Sequence, residues 1–562
     1  MSDKLDLKAQ LKQHLTFIYG EDYKNDYLIE MGTLLSKWMN KEQEQTKPLT
    51  EDNVYLITYG DSIQTDGEAP LNTLHHFLKE EAEGVISDVH LLPIFPYTSD
   101  DGFSVVDYRE VNPDFGTWED IEHFSEDFRL MFDFVANHIS KSSEWFQEYL
   151  EEDVTYKHYF IEKDEEFDAS QVMRPRTSPL FHAYKGKNGE RTAWTTFSED
   201  QVDVNFGHFP VLLEITEILL EYMAKGASSI RLDAIGFIWK ESGSTCIHLP
   251  QAHEIIKLWH TIAAEINPEV QIITETNVPH KENISYFGSG TDEAHMVYQF
   301  TLPPLVQYSF ATKDAGKLTD WAKAIEKVSD QATYFNFLAS HDGIGVRPVE
   351  GILNDDELEV LLQKVNQNGG EVSYKSNPDG SQSPYELNIN YMDMLKDEGD
   401  SLEVLVRKSL AAHSILLSFI GVPAIYYHSF LGSENDRDGL ESSDINRRIN
   451  RKKLEYDRLK TELTENERRS SIFNGMKDMI KVRQSSSAFS PYAEQEILNS
   501  DDRIFSLIRS NKETGKKVFF AVNVSDKPVE ITGPFSGENL RTQTKVEDTL
   551  SLNAYDYVWV KG

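Results

Sequence analysis

The chain contains a single cysteine, Cys246, among its 562 residues. An intrachain disulfide is therefore excluded, and a reducing compartment is allowed. The start of the chain, Met1 to Lys8, alternates charged with apolar residues and has no apolar core of the kind found in signal peptides. We therefore expect a cytoplasmic protein.

Long hydrophobic runs are also missing. The nearest approach to a membrane span is the segment from Leu410 to Tyr427, which contains His413, Gly421 and Pro423. Such a composition is more typical of a buried helix followed by a strand. We expect no membrane partner.

Positive charge is scarce, because 55 Lys and Arg residues stand against 94 Asp and Glu residues, a formal net charge of −39. A field of this sign repels nucleic acid and anionic membranes, so neither is an expected partner. An anionic substrate would need a local basic pocket. Arg174 and Arg176 flank a proline in an expected loop and could bind an oxyanion bidentately. Loop-fixing ion pairs are the alternative explanation of these two arginines.

Two further kinds of site have no sequence signal. No spacing of His, Cys and Asp suggests zinc, and no glycine-rich loop suggests a nucleotide. We expect neither a metal nor a cofactor.

Eight apolar, β-prone segments alternate with helical patterns through the middle of the chain. They are Val54–Tyr59, Val89–Pro93, Leu130–Val135, a segment through Ile230, Val270–Glu275, His295–Phe300, Tyr334–Leu338 and Pro423–Tyr427. Eight strands alternating with helices over roughly 400 residues predict an α/β protein with a (β/α)8 TIM barrel.

Changes of composition along the chain predict the domain boundaries. Residues 1–50 form a polar helical extension, residues 51–480 the barrel, and residues 490–562 a C-terminal all-β domain of short strands separated by turns. The interval from about 141 to 206 is too long for a simple connection and predicts an inserted B domain. Residues 350–395, rich in Asn, Gly and Ser, predict a second loop insertion.

Four acidic residues end predicted strands, and the carboxyl ends of barrel strands are where such barrels place their chemistry: Asp133, Asp233, Glu275 and Asp342. Two carboxylates that flank a glycosidic bond suffice for hydrolysis or transfer. Arg231, two residues before Asp233, should lower the pKa of that carboxyl and keep it ionised. Glu275 follows an apolar strand without an adjacent base and could hold a raised pKa, as a proton donor requires.

These residues resemble the signature regions of the α-amylase superfamily, glycoside hydrolase family 13. The resemblance is carried, in order, by Asp133 with Asn137-His138, Gln201-Val202-Asp203-Val204-Asn205, Arg231-Leu232-Asp233, Glu275 and His341-Asp342. It implies that Asp233 is the nucleophile, Glu275 the general acid/base and Asp342 the transition-state stabiliser. The counterpart of Asp133 in that family is mainly structural. The superfamily's calcium site uses a residue at Asn137, but the subfamily resembled below manages without the metal.

Two segments narrow the resemblance to the sucrose phosphorylase subfamily: Leu91 to Phe103 and Phe337 to Gly345. The residues that would line its glucose subsite are Asp100, Phe103, His138, Gln201, Arg231, His341 and Arg447. Arg447 lies in a segment that departs from the sucrose enzymes by one charge reversal, at Arg448. The extended N-terminus and the segments at 239–241, 274–280 and 449–453 most resemble phosphorylases that act on glucosylglycerate.

The resemblance implies a retaining glycoside phosphorylase that converts 2-O-α-D-glucosyl-D-glycerate and phosphate into α-D-glucose 1-phosphate and D-glycerate. Sucrose, sucrose 6′-phosphate and glucosylglycerol remain alternative substrates, and a related α-glucosidase or transglucosidase is an alternative activity. A non-catalytic amylase-like interaction protein is disfavoured, because all three acids are present and no anchor is. Relatives of this kind occur as monomers and homodimers, so both states remain open.

Overall fold

The computed structural model describes residues 6–39, 41, 45–533 and 535–562. At its centre, eight parallel strands form a closed barrel in which each strand pairs with its neighbour in sequence and the last pairs with the first. Numbered β1 to β8, they are Tyr55–Thr58, Asp88–Leu91, Arg129–Phe134, Ala227–Leu232, Gln271–Thr274, Met296–Tyr298, Thr333–Phe337 and Val422–Tyr426. The predicted (β/α)8 barrel is confirmed.

The barrel strands are apolar because they are buried on both faces, one against the barrel interior and the other against helices. The longer helices that follow barrel strands are Pro70–Glu81, Trp118–Asp127, Phe209–Ala224, Pro250–Ile266, Leu302–Thr312, Leu402–Ser418, Tyr456–Glu465 and Glu467–Gln484. Further helices, at Glu144–Leu150, His280–Asn283, Gly316–Ala322, Asp355–Gln367, Tyr391–Met394, Tyr427–Phe430 and Arg437–Ser443, lie within the connections.

In the connection that leads into β4, the local sequence determines where Asp233 is placed. Helix Phe209–Ala224 begins with Pro210 in its first turn, where the missing N–H costs nothing. It ends before Gly226, whose φ of +97° is open to glycine but strained for other residues. β4 then enters the barrel, and Asp233 follows it directly at the catalytic edge.

The interval after β3 forms the inserted domain. It holds the helix Glu144–Leu150 and a hairpin of Phe181–Gly186 with Gly189–Trp194. The strand Gln201–Asp203 pairs antiparallel with His138–Ser140, which comes directly after β3. This pairing ties the insertion to the catalytic edge of the barrel.

The segment 350–395 is more ordered than its composition suggested. It contains the helix Asp355–Gln367 and the strands Glu371–Ser376 and Gln382–Asn388, the latter paired with Ile344–Gly345. The helix starts at a capping box, in which Asn354 and Glu357 each bond the backbone N–H of the other. The loop-like composition of this segment therefore led to a prediction that missed the helix Asp355–Gln367, although its capping box is a sequence signature of a helix N-terminus.

The two ends of the chain pack on the barrel. The N-terminal helices are Leu7–Tyr19 and Asn25–Met39. The C-terminal region carries a six-stranded sheet of Glu494–Ile497, Ile504–Ser510, Lys517–Asn523, Tyr557–Lys561, Gly537–Asn539 and Lys545–Val546, and a strand pair of Val529–Thr532 with Thr549–Leu552. Of these two predicted regions, residues 1–5, 40, 42–44 and 534 lie outside the described residues. In the part of the chain that is described, no helix combines the length and the apolar character that a bilayer crossing demands.

Candidate active site

A cavity opens at the carboxyl edge of the barrel, where three of the predicted acids meet. Asp233, Glu275 and Asp342 all line it, and they follow β4, β5 and β7 respectively. Three separate strands thus bring carboxylates to one space, as the barrel geometry requires. Phe197, Phe237, Phe300, Ile247 and Val278 supply apolar walls.

Arg231 forms the floor beneath these acids. Its side chain is 1% exposed, and its Nη1 donates to Asp133 and, at 2.8 Å, to Oδ1 of Asp233. Asp133 is itself held by His90, whose Nε2 lies 2.6 Å from Oδ2. Arg231 does not line the cavity, so the structure places it behind the site and Asp133 deeper still.

The environment of Asp233 differs from the sequence-based expectation. Burial is the largest influence and raises the pKa of Asp233 above its ordinary value, while Arg231 opposes that rise without reversing it. The predicted direction of the pKa shift was wrong, because the prediction included the neighbouring guanidinium but not the burial of the carboxyl group.

Glu275 carries the expected raised pKa. Burial, with the negative charges of Asp233 and Asp342, raises the pKa of Glu275 to about 7, against the opposing charge of Arg231. Its Oε2 accepts a hydrogen bond from the backbone N–H of Ala234 at 3.0 Å. Ala234 adopts a left-handed backbone with φ of +47°, a strained conformation for alanine.

The position of Arg231 determines which of the two acids, Asp233 or Glu275, carries the negative charge. Its guanidinium lies 2.8 Å from Asp233 and 3.8 Å from Glu275, so a negative charge is better stabilised on Asp233. Two interacting buried carboxyl groups titrate as a pair. When the pair carries a single proton, that proton therefore resides on Glu275. The arrangement provides one anionic carboxylate beside one protonated carboxylic acid near neutral pH.

Asp342 is the most strongly paired of the three acids. Its Oδ1 lies 2.8 Å from Arg447 and 3.8 Å from Arg451. Burial raises its pKa, but these guanidiniums and that of Arg231 outweigh burial and hold the pKa of Asp342 below its ordinary value. Asp342 is therefore a fixed anion.

The remaining residues predicted for the glucose subsite surround the same cavity, with Arg231 as the exception already described. They are Asp100, Phe103, His138, Gln201, His341 and Arg447. Phe103 stacks on His341 with ring centroids 4.9 Å apart. Gln201 donates to Oδ2 of Asp100 at 3.2 Å and to the carbonyl of Phe103 at 3.1 Å. His138 Nε2 lies 2.9 Å from that same carbonyl.

The positive charge of Arg448, which replaces a negative charge next to Arg447, is compensated by an acidic partner in the structure. Arg448 pairs bidentately with Asp101 at 2.6 and 3.0 Å, so it turns away from the acids. Arg447 keeps its place at Asp342 and pairs bidentately with Glu386, both contacts being 2.9 Å. The segment thus tolerates the extra arginine without losing the contact at Asp342.

The structure separates the two arginines of the 174–176 segment. Arg176 lines the cavity, with its guanidinium carbon 5.3 Å from the ring centroid of Phe197 and 5.4 Å from that of Tyr385. Arg174 does not line the cavity, and its guanidinium donates to the carbonyl of Ser178. Only Arg176 is placed to meet a ligand.

Five polar residues that line the cavity were not predicted as site residues: Thr276, Asn277, Arg347, Tyr385 and Glu386. Tyr385 and Glu386 come from the strand Gln382–Asn388 in the segment that was predicted to be a loop. No motif marks them. Arg347 did leave a signal, since it is an isolated base five residues after Asp342 that follows the uncharged Gly343-Ile344-Gly345-Val346.

Asn137 occupies the position that contributes to the calcium site of the α-amylase superfamily. Among the described residues, no group of three or more His, Cys, Asp or Glu side chains is arranged to hold a metal ion. The amide oxygen of Asn137 lies 3.1 Å from Nζ of Lys240, which also donates to the carbonyl of Phe237 at 2.6 Å and pairs with Asp203 at 2.7 Å. An ammonium group therefore occupies the oxygen cluster at this junction.

Residues 84–364 match the family described as alpha amylase, catalytic domain. This chain belongs to the α-amylase family. The match covers the barrel from β2 to beyond β7 and contains all three acids that line the cavity.

Several curated members of the α-amylase family are similar to this chain over nearly its full length. The glucosylglycerate phosphorylase of Spirochaeta thermophila is 45% identical, covering 98% of each chain. That of Escherichia coli is 41% identical, covering 99% of this chain and 100% of the relative. The sucrose phosphorylase of Streptococcus mutans is 27% identical, covering 85% of this chain and 96% of the relative.

Solved structures of the α-amylase family share the fold. A sucrose 6F-phosphate phosphorylase from Thermoanaerobacter thermosaccharolyticum superposes with a TM-score of 0.74 at 23% identity, covering 89% of this chain and 98% of the other. An isomaltulose synthase from Erwinia rhapontici gives a TM-score of 0.67 at 16% identity, covering 91% and 98%. At such identities the comparison supports the fold alone.

Proposed function

We propose that this protein is a retaining glucosylglycerate phosphorylase. It converts 2-O-α-D-glucosyl-D-glycerate and phosphate reversibly into α-D-glucose 1-phosphate and D-glycerate. The observation that carries the proposal is the similarity along almost the whole chain to relatives with that activity, at 41 to 45% identity. The cavity supports it, since the carboxylate of Asp233, the carboxylic acid of Glu275 and three guanidiniums line a single space.

In the first half-reaction, Asp233 acts as the nucleophile. Its carboxylate oxygen attacks the anomeric carbon while the bond from that carbon to the glycerate oxygen breaks. Glu275 gives its proton to this oxygen, so that glycerate leaves with a complete hydroxyl group. The raised pKa of Glu275, about 7, supports this role, because a proton must be present near neutral pH.

In the second half-reaction, phosphate takes the place of glycerate. A phosphate oxygen attacks the anomeric carbon, the bond to Asp233 breaks, and Glu275 accepts the proton of the attacking phosphate. Two inversions restore the α configuration of the glucosyl group. Asp342 remains an anion throughout and stabilises the positive charge that develops on the sugar ring.

The glucosyl group lies among the residues predicted for its subsite, with Phe103 and His341 forming a flat stacked wall. Arg176 serves the anionic reactants, while the assignment of Arg174 to that role remains a prediction, since its guanidinium contacts Ser178. Phosphate is a substrate, and no metal or cofactor takes part in the proposed chemistry.

The test is the release of glucose 1-phosphate from glucosylglycerate, glucosylglycerol, sucrose and sucrose 6′-phosphate, each with and without phosphate. We expect phosphate-dependent release from glucosylglycerate at the highest kcat/KM of the four. Preferred release from another member would replace the acceptor and keep the mechanism. Free glucose formed equally without phosphate would make the protein a hydrolase and overturn the proposal.

A further inference from the structure

Arg347 is a buried guanidinium that faces the cavity without a close protein partner. The residue is 6% exposed and lines the cavity. Among the described residues, Nε of Arg347 has no hydrogen-bond partner, and the nearest carboxylate is that of the half-exposed Glu350 at 3.6 Å. A buried charge is costly when its nearest counter-charge is distant and half-exposed, so the guanidinium of Arg347 is suited to an anion from outside the chain.

Among the described residues, each of the other buried arginines has either a carboxylate within 3 Å or several backbone carbonyl groups as partners, which makes Arg347 an exception. Arg231, Arg451 and Arg468 each hold a carboxylate at 2.8 to 2.9 Å. Arg483 and Arg509 lack carboxylate partners, but each donates to three or more backbone carbonyl groups. Arg347 has neither arrangement.

Backbone pairing places Arg347 beside the strand that carries Tyr385. The strand Ile344–Gly345 pairs with Leu387 and Glu386, and the N–H of Val346 donates to the carbonyl of Tyr385 at 3.1 Å. The guanidinium of Arg176 lies over the ring of Tyr385. The charges of Arg176, Arg347 and Glu275 all act on the Tyr385 hydroxyl, whose pKa burial raises. Two guanidiniums therefore act on one phenol, in the cavity that the proton donor Glu275 also lines.

A second polar atom without a partner, among the described residues, belongs to another residue of the cavity wall. The amide oxygen of Asn277 is buried without a hydrogen-bond partner, and Asn277 lines the cavity. It approaches the backbone at Gly345, where a Cβ atom would lie 2.4 Å from that oxygen. An acceptor here suits a hydroxyl group, so the vicinity offers cations for an anion and an oxygen for an alcohol.

We infer that Arg347, together with Arg176, forms a single anion site that takes the carboxylate of glycerate in one half-reaction and phosphate in the other. This deepens the proposed function and rests on it. Both anions must share the site because Arg447, the third arginine of the cavity wall, is already paired with Asp342 and Glu386. Arg347 then determines specificity for an anionic acceptor over a neutral one.

The test uses α-D-glucosyl fluoride as the donor, since its leaving group needs no anion site. Transfer to D-glycerate, phosphate and glycerol is measured for the wild type, Arg347→Gln and Arg347→Lys. We expect Arg347→Gln to raise the KM for both D-glycerate and phosphate by about 10- to 100-fold, the usual effect of losing a charge-assisted hydrogen bond. Glycerol transfer and fluoride release into water should stay within about two-fold, and Arg347→Lys should restore part of the anion affinity.

Arg407→Gln is the matched control, since Arg407 is half-exposed and pairs with Glu403 on the helix Leu402–Ser418, outside the cavity. It should leave all three acceptors unchanged. Loss of fluoride release in Arg347→Gln would overturn the inference, because it would place Arg347 in the glucosyl half of the site or in folding. A rise in KM for only one of the two anions would overturn the shared site. If the wild type does not use D-glycerate, the proposed function fails, whereas the phosphate measurement still tests Arg347.

Discussion

At the scale of single residues, the site depends on giving three buried carboxyl groups different electrostatic environments, so that two are anions and one holds a proton. Asp342 is surrounded by guanidiniums, Asp233 has one at 2.8 Å, and Glu275 has its nearest at 3.8 Å. All three are buried, so the distance to arginine decides which acid keeps its proton. Sequence reasoning found the three acids and the raised pKa of Glu275, but burial of Asp233 could not be read from its neighbours along the chain.

The first prediction concerns the nucleophile. Asp233→Asn removes the attacking carboxylate while keeping the size of the side chain, so we expect phosphorolysis to fall by about 10⁴-fold or more. The thermal unfolding midpoint should remain close to that of the wild type, since Arg231 keeps Asp133 as a partner. A variant that retained wild-type turnover would remove Asp233 from the mechanism.

The second prediction concerns pH. Glu275 must be protonated to release glycerate, and its pKa is raised to about 7, so kcat/KM for glucosylglycerate should fall as the pH rises above about 7. Fluoride leaves without a proton, so kcat/KM for α-D-glucosyl fluoride should lack this alkaline decline. The two profiles are measured on the same enzyme preparation. An identical alkaline decline for both donors would show that the titrating group is not the proton donor.

At the scale of elements, the inserted domain is fastened to the barrel by a buried ammonium group. Lys240 follows β4, whereas Asp203 ends the strand that pairs with His138–Ser140. Nζ of Lys240 lies 2.7 Å from Asp203, and neither side chain is more than 4% exposed. Since Gln201 reaches the cavity from that same strand, this contact also orients part of the substrate site.

The third prediction tests this junction. Lys240→Met should lower the free energy of unfolding by about 3 kcal/mol, because it leaves Asp203 buried without its counter-charge. Lys141→Met is the control, since Lys141 pairs on the surface with Glu199 at 2.9 Å and should matter by less than about 0.5 kcal/mol. Both are measured by urea unfolding, and treatment of the wild type with EDTA should change neither stability nor activity. Equal stability of the two variants would rule out a fastening role for Lys240.

The strands differ in how far the sequence alone predicts them. All eight barrel strands were predictable, because strands buried on both faces are continuous apolar segments, and two of them end directly before an acid. The strand Gln382–Asn388 was not, since its first residues, Gln382, Ser383 and Pro384, have no apolar pattern. Its position depends on pairing with Ile344–Gly345, a contact made across about 40 residues of chain. Tyr385 and Glu386 reach the site through that pairing, which no local signal encodes.

At the scale of the whole molecule, an enzyme with a net charge of −39 is proposed to bind two anions. The excess persists locally, because five carboxyl groups line the cavity beside three arginines: Asp100, Asp233, Glu275, Asp342 and Glu386, against Arg176, Arg347 and Arg447. Arg447 is committed to carboxylates, so attraction for an anion is confined to the short range of Arg176 and Arg347. Beyond that range, the field of the protein repels phosphate and glycerate.

The last prediction follows from this difference in range. Salt shortens the reach of the repulsive field to about 10 Å at 0.1 M, whereas contacts within a buried pocket are screened much less. Raising the ionic strength from about 0.01 to 0.1 M with a salt of a bulky, weakly binding anion should therefore raise kcat/KM for phosphate by about two- to five-fold. The neutral donor α-D-glucosyl fluoride, assayed for release into water, should show no such rise. A decline for phosphate would mean that the arginines, and not the acidic surface, govern its approach, and the acidity of the chain would then have no influence on catalysis.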